Sequence, residues 1–221
     1  MTPCAFFDGG ICIETMEAHI TKGLELIEGL YISRNYGKFL GKLLGIAKDE
    51  ADELLKKSYV IHDVGKCLEE FQQRRAGFKF HEFYSALVAR EVFKKFGDAG
   101  DVATVAVFLH HHNWIRGKSP ERPKNLTLSS ECVAFIEEFL GEKVPQSVPW
   151  VDPKKEFYPY VERVLGSNLR AVYALLLPIA MADNYAAHCN RKGKASSLSG
   201  ELFEALDVRG WDVAGYISRG L

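Results

Sequence analysis

A chain of 221 residues, 47% of them hydrophobic, can bury a sizeable core and fits one large domain or two small ones. Its 28 Lys and Arg against 29 Asp and Glu leave a formal net charge of −1, which excludes a globally basic protein that coats nucleic acid. The five cysteines are odd in number and include no C-x-x-C pair, so a reduced, intracellular chain is expected.

The N-terminal stretch, Met1 to Gly10, has no basic segment followed by a long apolar run, so no signal peptide is expected. Residues 4–14 read as two short strands around an Asp8-Gly9-Gly10 turn. Cys4 and Cys12 flank that turn and could pair if the source is a thermophile. Met16, Ile20, Leu24 and Ile27 recur at helical spacing, which predicts an amphipathic helix over 16–32. Further helices are expected over about 49–64, 81–96 and 101–112. Residues 113–124, with two prolines and the basic Arg116, Lys118, Arg122 and Lys124, read as a loop. Ser129 ahead of Glu131 and Cys132 reads as the cap of a helix over 129–140. Four prolines make 143–159 irregular. A long helix then runs from about 168 to 190, bent or tightened near Pro178. Its apolar run, 171–182, is too short to span a bilayer and reads as a buried core helix. The tail, about 199–219, is expected to be helical. The expected fold is mostly α, a single domain over residues 1–221 with a short N-terminal β-hairpin, cytoplasmic and without membrane contact.

The chemistry concentrates in the histidines. The apolar run Tyr59-Val60-Ile61 stops at His62 and Asp63, and Lys66 follows one turn later on the same side. An imidazole offers one lone pair and a carboxylate two oxygens, so the His-Asp pair can bind one cation and leave an oxygen for a second. The plainer alternative, a polar helix cap, does not call for His, Asp and Lys together. His81 opens the next helix, and Ser85, one turn on, faces the same way and can hydrogen-bond a ligand. His110, His111 and His112 directly follow the apolar Val102–Leu109 segment, an arrangement that suits metal binding at a helix end. Asp183 sits on an otherwise apolar helix, where a buried carboxylate is costly unless paired or bound to metal. His19 lies beside the Met16 and Ile20 stripe; taken alone, it reads as a satisfied core histidine. His188, five residues past Asp183, points away from it on a helix and is read as a non-ligand.

Taken in order, His19, His62-Asp63, His81 with Ser85, the histidine run and Asp183 resemble the HD superfamily of metal-dependent phosphohydrolases. The resemblance is closest to the HD nucleases of type I CRISPR systems in their stand-alone form. It rests on the segments EAHI, HDVGK, HEFYSA, the histidine run and MADNYAA, spread over residues 17–187. It implies two adjacent metal ions. The first would take His19, His62, Asp63 and Asp183; the second would take Asp63, His81 and two of His110, His111 and His112, with Asp63 bridging. The family shows His-His-Gly where this chain has three histidines and Asn113. Asn tolerates the left-handed backbone, so Asn113 in place of that Gly selects His111 and His112; the other register selects His110 and His111.

Mixed His and carboxylate ligands suit Mn²⁺, Fe²⁺, Ni²⁺, Co²⁺ or Zn²⁺ better than Mg²⁺. Two such ions can hold a phosphodiester, activate a water and stabilise the leaving oxygen. Asp63 and Lys66 are the expected catalytic residues, Lys66 stabilising phosphate charge, with a structural ion pair as its alternative. Trp114, Arg116 and Lys118 follow the histidines, and Arg191, Lys192 and Lys194 follow the Asp183 helix. An aromatic among cations suits single-stranded nucleic acid, DNA or RNA. The resemblance implies a separate CRISPR helicase and an RNA-guided effector complex as partners. No G-x-x-x-x-G-K-[ST] occurs, so a P-loop motor would have to be another chain. The competing expectations are a phosphohydrolase of nucleotides or cyclic dinucleotides and a catalytically silent metal-binding adaptor. Cyclic-dinucleotide enzymes of the superfamily carry Gly-Tyr-Pro after the paired histidine, where Asn113-Trp114-Ile115 stands here. The intact ligand set argues against the adaptor.

Overall fold

The computed structural model describes residues 3–111, 119–148, 150–191 and 215. Strand β1 (Cys4–Asp8) pairs antiparallel with β2 (Ile11–Thr15), Cys4 opposite Thr15 and Asp8 opposite Ile11. Gly9 and Gly10 have φ of 56° and 82°, the positive pair that a type I′ turn requires. Thr15 then caps α1 (Met16–Leu26), its Oγ1 accepting from the Ala18 N–H at 3.1 Å. Met16, His19, Ile20, Gly23 and Leu26 turn inward, and the helix continues as a π-helical stretch over Ile27–Ile32.

Helix α2 (Tyr36–Leu44) and the short α4 (Glu69–Arg74) add to the expected elements. Between them α3 (Lys48–Ile61) stops short of residue 64. His62 closes it, Asp63 (φ −109°, ψ 4°) turns out of it, and Val64–Cys67 winds as a 3₁₀ turn. Helix α5 (His81–Val92) starts where expected and passes into a 3₁₀ turn over Phe93–Phe96, while α6 (Asp98–Leu109) runs three residues earlier than expected. Helix α7 (Ser130–Leu140) starts at the predicted cap, with Ser129 Oγ accepting from the Cys132 N–H at 3.3 Å.

The C-terminal half corrects two expectations. Residues 153–157 form a π-helical turn and α8 begins at Tyr158, so the proline-rich stretch is irregular only to Asp152. Pro153 and Pro159 occupy first-turn positions, where a missing N–H costs nothing, and Asp152 Oδ1 accepts from Lys154 and Lys155 N–H groups. Helix α8 (Tyr158–Asn190) bends at Asn168 (φ −132°, ψ 27°), while Pro178 lies inside it. Pro178 cannot donate to the Ala174 carbonyl, and the Tyr36 hydroxyl takes that acceptor instead at 2.8 Å.

Cys4 and Cys12 are disulfide-bonded across the hairpin, and Cys67 is bonded to Cys132 at the start of α7. The expectation of a reduced chain is thereby corrected. Tertiary packing brings the Cα atoms of the second pair to 5.9 Å across 65 residues of sequence, a proximity that spacing does not reveal.

Helix α6 is buried on nearly every side and packs against α3, α5 and α8. Helix α8 is long and apolar enough to cross a membrane by length and composition. Its Val172, Leu175, Leu176 and Ile179 are nevertheless buried in the core, and it packs along α1 and α6. The ends of α3 and α6, the starts of α1 and α5 and the C-terminal part of α8 therefore converge. The expected tail helix falls outside the described residues except at Gly215.

Candidate metal centre

Helices α3 and α6 end in the same way. Each is an apolar run closed by a histidine, His62 and His110, at the C-cap. The carbonyls of a last helical turn have no partner within the helix. His62 Nδ1–H donates to the Tyr59 carbonyl at 2.5 Å, and His110 Nδ1–H donates to Val107 at 2.6 Å. Each ring thus caps its own helix, which fixes the tautomer and turns Nε2 away from the helix end. His81, at the start of α5, donates likewise to the Phe78 carbonyl three residues back, at 2.7 Å. His19 differs: its Nδ1 donates to the Glu14 carboxylate at 2.9 Å.

These rings and two carboxylates meet in two groups that share Asp63, and each group is compact enough to hold a metal ion. The first contains His19, His62, Asp63 and Asp183; the second contains Asp63, His81, His110 and His111. Asp63 Oδ2 lies 3.4 Å from His19 Nε2 and 3.6 Å from His62 Nε2. Asp63 Oδ1 lies 3.0 Å from His81 Nε2 and 3.7 Å from His110 Nε2. Asp183 Oδ1 closes the first group at 3.2 Å from His19 and 3.7 Å from His62, and its Oδ2 is 4.0 Å from His111.

The donor set fits divalent transition metals. Asp63 Oδ1, His81 Nε2 and His110 Nε2 are buried without a hydrogen-bond partner among the described residues, an arrangement that costs free energy unless a cation meets them. Nε2 of His19 and of His62 face each other at 3.4 Å. Nitrogen and carboxylate ligands together favour Mn²⁺, Fe²⁺, Co²⁺, Ni²⁺ or Zn²⁺ over Mg²⁺.

The electrostatics point the same way. Burial alone would raise Asp63, but the Lys66 ammonium, with His62, His110 and His81, holds its carboxyl well below the usual range. Asp183 is held low against the same burial penalty by His19, His62 and His111. Burial would lower His19, yet Asp183, Glu14 and Asp63 push it up to about 9. A proton on His19 takes the place of a cation in the metal-free protein. Burial pushes the imidazoles of His62 and His111 down, leaving them as neutral donors. Among the described residues of the cluster, His111 is the exposed member, its side chain 35% exposed.

Other expected residues take different places. Lys66 is buried and bound to Asp63 Oδ2 at 2.5 Å. Ser85 Oγ accepts from the Gly65 N–H at 2.8 Å, tying α5 to the turn after Asp63 rather than reaching a ligand. Arg191, expected in a substrate-facing loop, instead pairs with Glu14 Oε2. His188 belongs to neither group. His112, Trp114, Arg116, Lys118, Lys192 and Lys194 lie outside the described residues, so the histidine pair brought into the cluster by those described is His110 and His111. Glu14 was not foreseen. It sits on a strand five residues before His19 and is 2% exposed, and nothing in its sequence context marks it as buried.

A family model described as "HD domain" matches residues 26–140. Relatives include a CRISPR-associated endonuclease Cas3-HD from Thermoproteus tenax, 33% identical over 116 residues, and a protein of the same name from Pyrococcus furiosus, 27% identical over 124. Each alignment covers 52% of this chain, and 47% and 52% of the respective relative. The chain thus spans about half the length of the curated relatives it matches. A solved CRISPR-associated Cas3 HD domain protein from Methanocaldococcus jannaschii is 19% identical, with 75% of this chain and 95% of the other covered at a TM-score of 0.47.

Proposed function

The chain belongs to the HD-domain family, and from that premise we propose that it is a two-metal nuclease acting on single-stranded nucleic acid, DNA or RNA, in CRISPR interference. The observation that carries this reading is the division of labour within Asp63, whose two oxygens face different ligand groups. Divalent cations at the two groups would supply Lewis-acid activation of a phosphodiester and of water. His19, His62 and Asp183 hold the first site, and His81, His110 and His111 the second, with Asp63 common to both. Lys66 keeps Asp63 ionised and adds positive charge beneath the phosphate. The phosphodiester enters beside His111, the exposed end of the cluster.

Single-strand binding is supported by a cleft of about 280 Å³ beside the start of α5. Arg74, Lys79, Arg122 and Lys124 line it with Phe80 and Tyr84, against Glu70 and Glu121. Rings among excess cations can stack bases while the backbone is neutralised. Trp114, Arg116 and Lys118 are proposed to extend this surface. A separate helicase and an RNA-guided complex in the cytoplasm are the proposed partners. In the test, metal-stripped protein is reloaded with Mn²⁺, Co²⁺ or Ni²⁺ and offered single-stranded DNA, single-stranded RNA, duplex and nucleotides. Cleavage of strands is expected. Cleavage of nucleotides alone would move the protein to the phosphohydrolase class.

A further inference from the structure

Three of the clustered histidines are oriented by a backbone carbonyl three residues earlier: Tyr59 for His62, Phe78 for His81 and Val107 for His110. For His62 and His110 a helix end supplies that carbonyl, and for His81 the turn before α5 does, each without help from the rest of the fold. His19 sits in the first turn of α1, where the carbonyl three residues back, that of Met16, belongs to the helix's own hydrogen bonding, so its Nδ1–H needs a partner from elsewhere. That partner is Glu14, a fully desolvated carboxylate whose every contact serves the same end. Its Oε1 accepts from His19 Nδ1 and from Asn190 Nδ2, both at 2.9 Å, and its Oε2 accepts from Arg191 Nε at 2.5 Å.

The clamp is built from the helix that also carries Asp183. Asn190 is the last residue of α8 and Arg191 its C-cap, two turns beyond Asp183. Asn190 additionally donates to the Ala18 carbonyl at 3.1 Å, next to His19, and the Arg191 guanidinium lies 4.5 Å from the centre of the Phe6 ring. A closed circuit results: α8 reaches His19 directly through Asp183 and indirectly through Asn190, Arg191 and Glu14. An ion pair whose only task was to tie the hairpin to α8 would not need to bring a buried carboxylate onto the imidazole.

We infer that Glu14, held by Asn190 and Arg191, is a positioning residue that fixes the tautomer and direction of His19 and thereby sets the affinity of the first metal group selectively. This rests on the two-group reading above. Partners of this kind typically contribute 10–100-fold to metal affinity.

The test isolates each group. In a His81→Ala background the first group keeps all four of its ligands, and in an Asp183→Ala background the second does. Co²⁺ affinity of the metal-stripped proteins is measured by calorimetry, with metal-free melting curves to confirm folding. Glu14→Ala should weaken Co²⁺ binding about 10–100-fold in the first background and leave it unchanged in the second. Arg191→Ala should weaken the same group by less, because Asn190 still holds Glu14. Glu14→Gln, whose amide oxygen still accepts from His19, should lie between wild type and Ala, and it carries the test if Glu14→Ala does not fold. Equal weakening in both backgrounds, or none in the first, overturns the inference. Failure of the otherwise unaltered chain to bind Co²⁺ at all overturns the metal-centre reading itself, whatever Glu14 does.

Discussion

Gly65→Ala should disable the second metal group while leaving a folded protein. A Cβ on Gly65 would lie 2.9 Å from Ser85 N and 3.0 Å from the His81 carbonyl carbon, and closer still to the His81 oxygen. Non-bonded carbon contacts settle at roughly 3.5 Å or more, so α5 must retreat by about 1 Å; backbone atoms cannot rotate aside as a side chain would. The Gly65 N–H bond to Ser85 Oγ, 2.8 Å long, stretches with that retreat. The overpacking costs about 1–3 kcal/mol, against about 0.4–1 kcal/mol gained from a stiffer unfolded chain. At the middle of these ranges the net loss is about 1.3 kcal/mol, and a chain of this size then loses roughly 3–5 °C in melting temperature. The larger effect falls on His81, which opens α5 and faces Asp63 Oδ1 at 3.0 Å. Metal–ligand distances tolerate about ±0.2 Å, so a displacement of about 1 Å removes His81 from the group, and turnover should fall about 100-fold. Metal stoichiometry by elemental analysis, thermal melts in chelator and single-strand cleavage read these three effects. A variant that keeps two metals and an unshifted melt would refute the reasoning.

Asp63→Ala should abolish cleavage and lower occupancy at both groups; one metal retained at full affinity would contradict the sharing of Asp63. In chelator, His19 should make the metal-free protein pH-sensitive on the alkaline side. Its folded value, about 9, lies above the ordinary 6.5, so its contribution is complete below pH 6.5 and lost as pH rises through 9. Urea denaturation from pH 6 to 9.5 should show that fall, and a flat profile would count against it. Tyr36→Phe leaves the Ala174 carbonyl without its partner and should cost about 1 kcal/mol, part of which Pro178→Ala restores by supplying the missing N–H. Replacing Arg116 and Lys118 together with Ala should raise KM for a single strand and flatten its salt dependence; unchanged kinetics would remove them from the substrate surface.

Most of the helical fold was legible because its signals are local. Ser129 caps the helix that follows it, and the Gly9-Gly10 pair specifies its turn. The errors lie where a distant group overrode a local rule. Pro178 predicts a bend, but Tyr36, 138 residues away in the α8 contact, takes the freed carbonyl, and the bend sits at Asn168. The Cys67–Cys132 bond likewise depends on how α7 lies over the turn after Asp63.

The same distinction separates the candidate ligands that a local pattern places from the one that it does not. His62 and His110 each close an apolar run at a helix end and cap it with Nδ1, so that sequence pattern already contains the tautomer, the ring direction and the inward Nε2. His19 carries no such pattern. Its orientation comes from Glu14, whose burial comes from Asn190 and Arg191 more than 170 residues later in the chain. A short motif can therefore announce the shared carboxylate and the second group. The first group is completed only when α8 folds back along α1, so any metal affinity it has would depend on the docking of α8 rather than on any one segment of sequence.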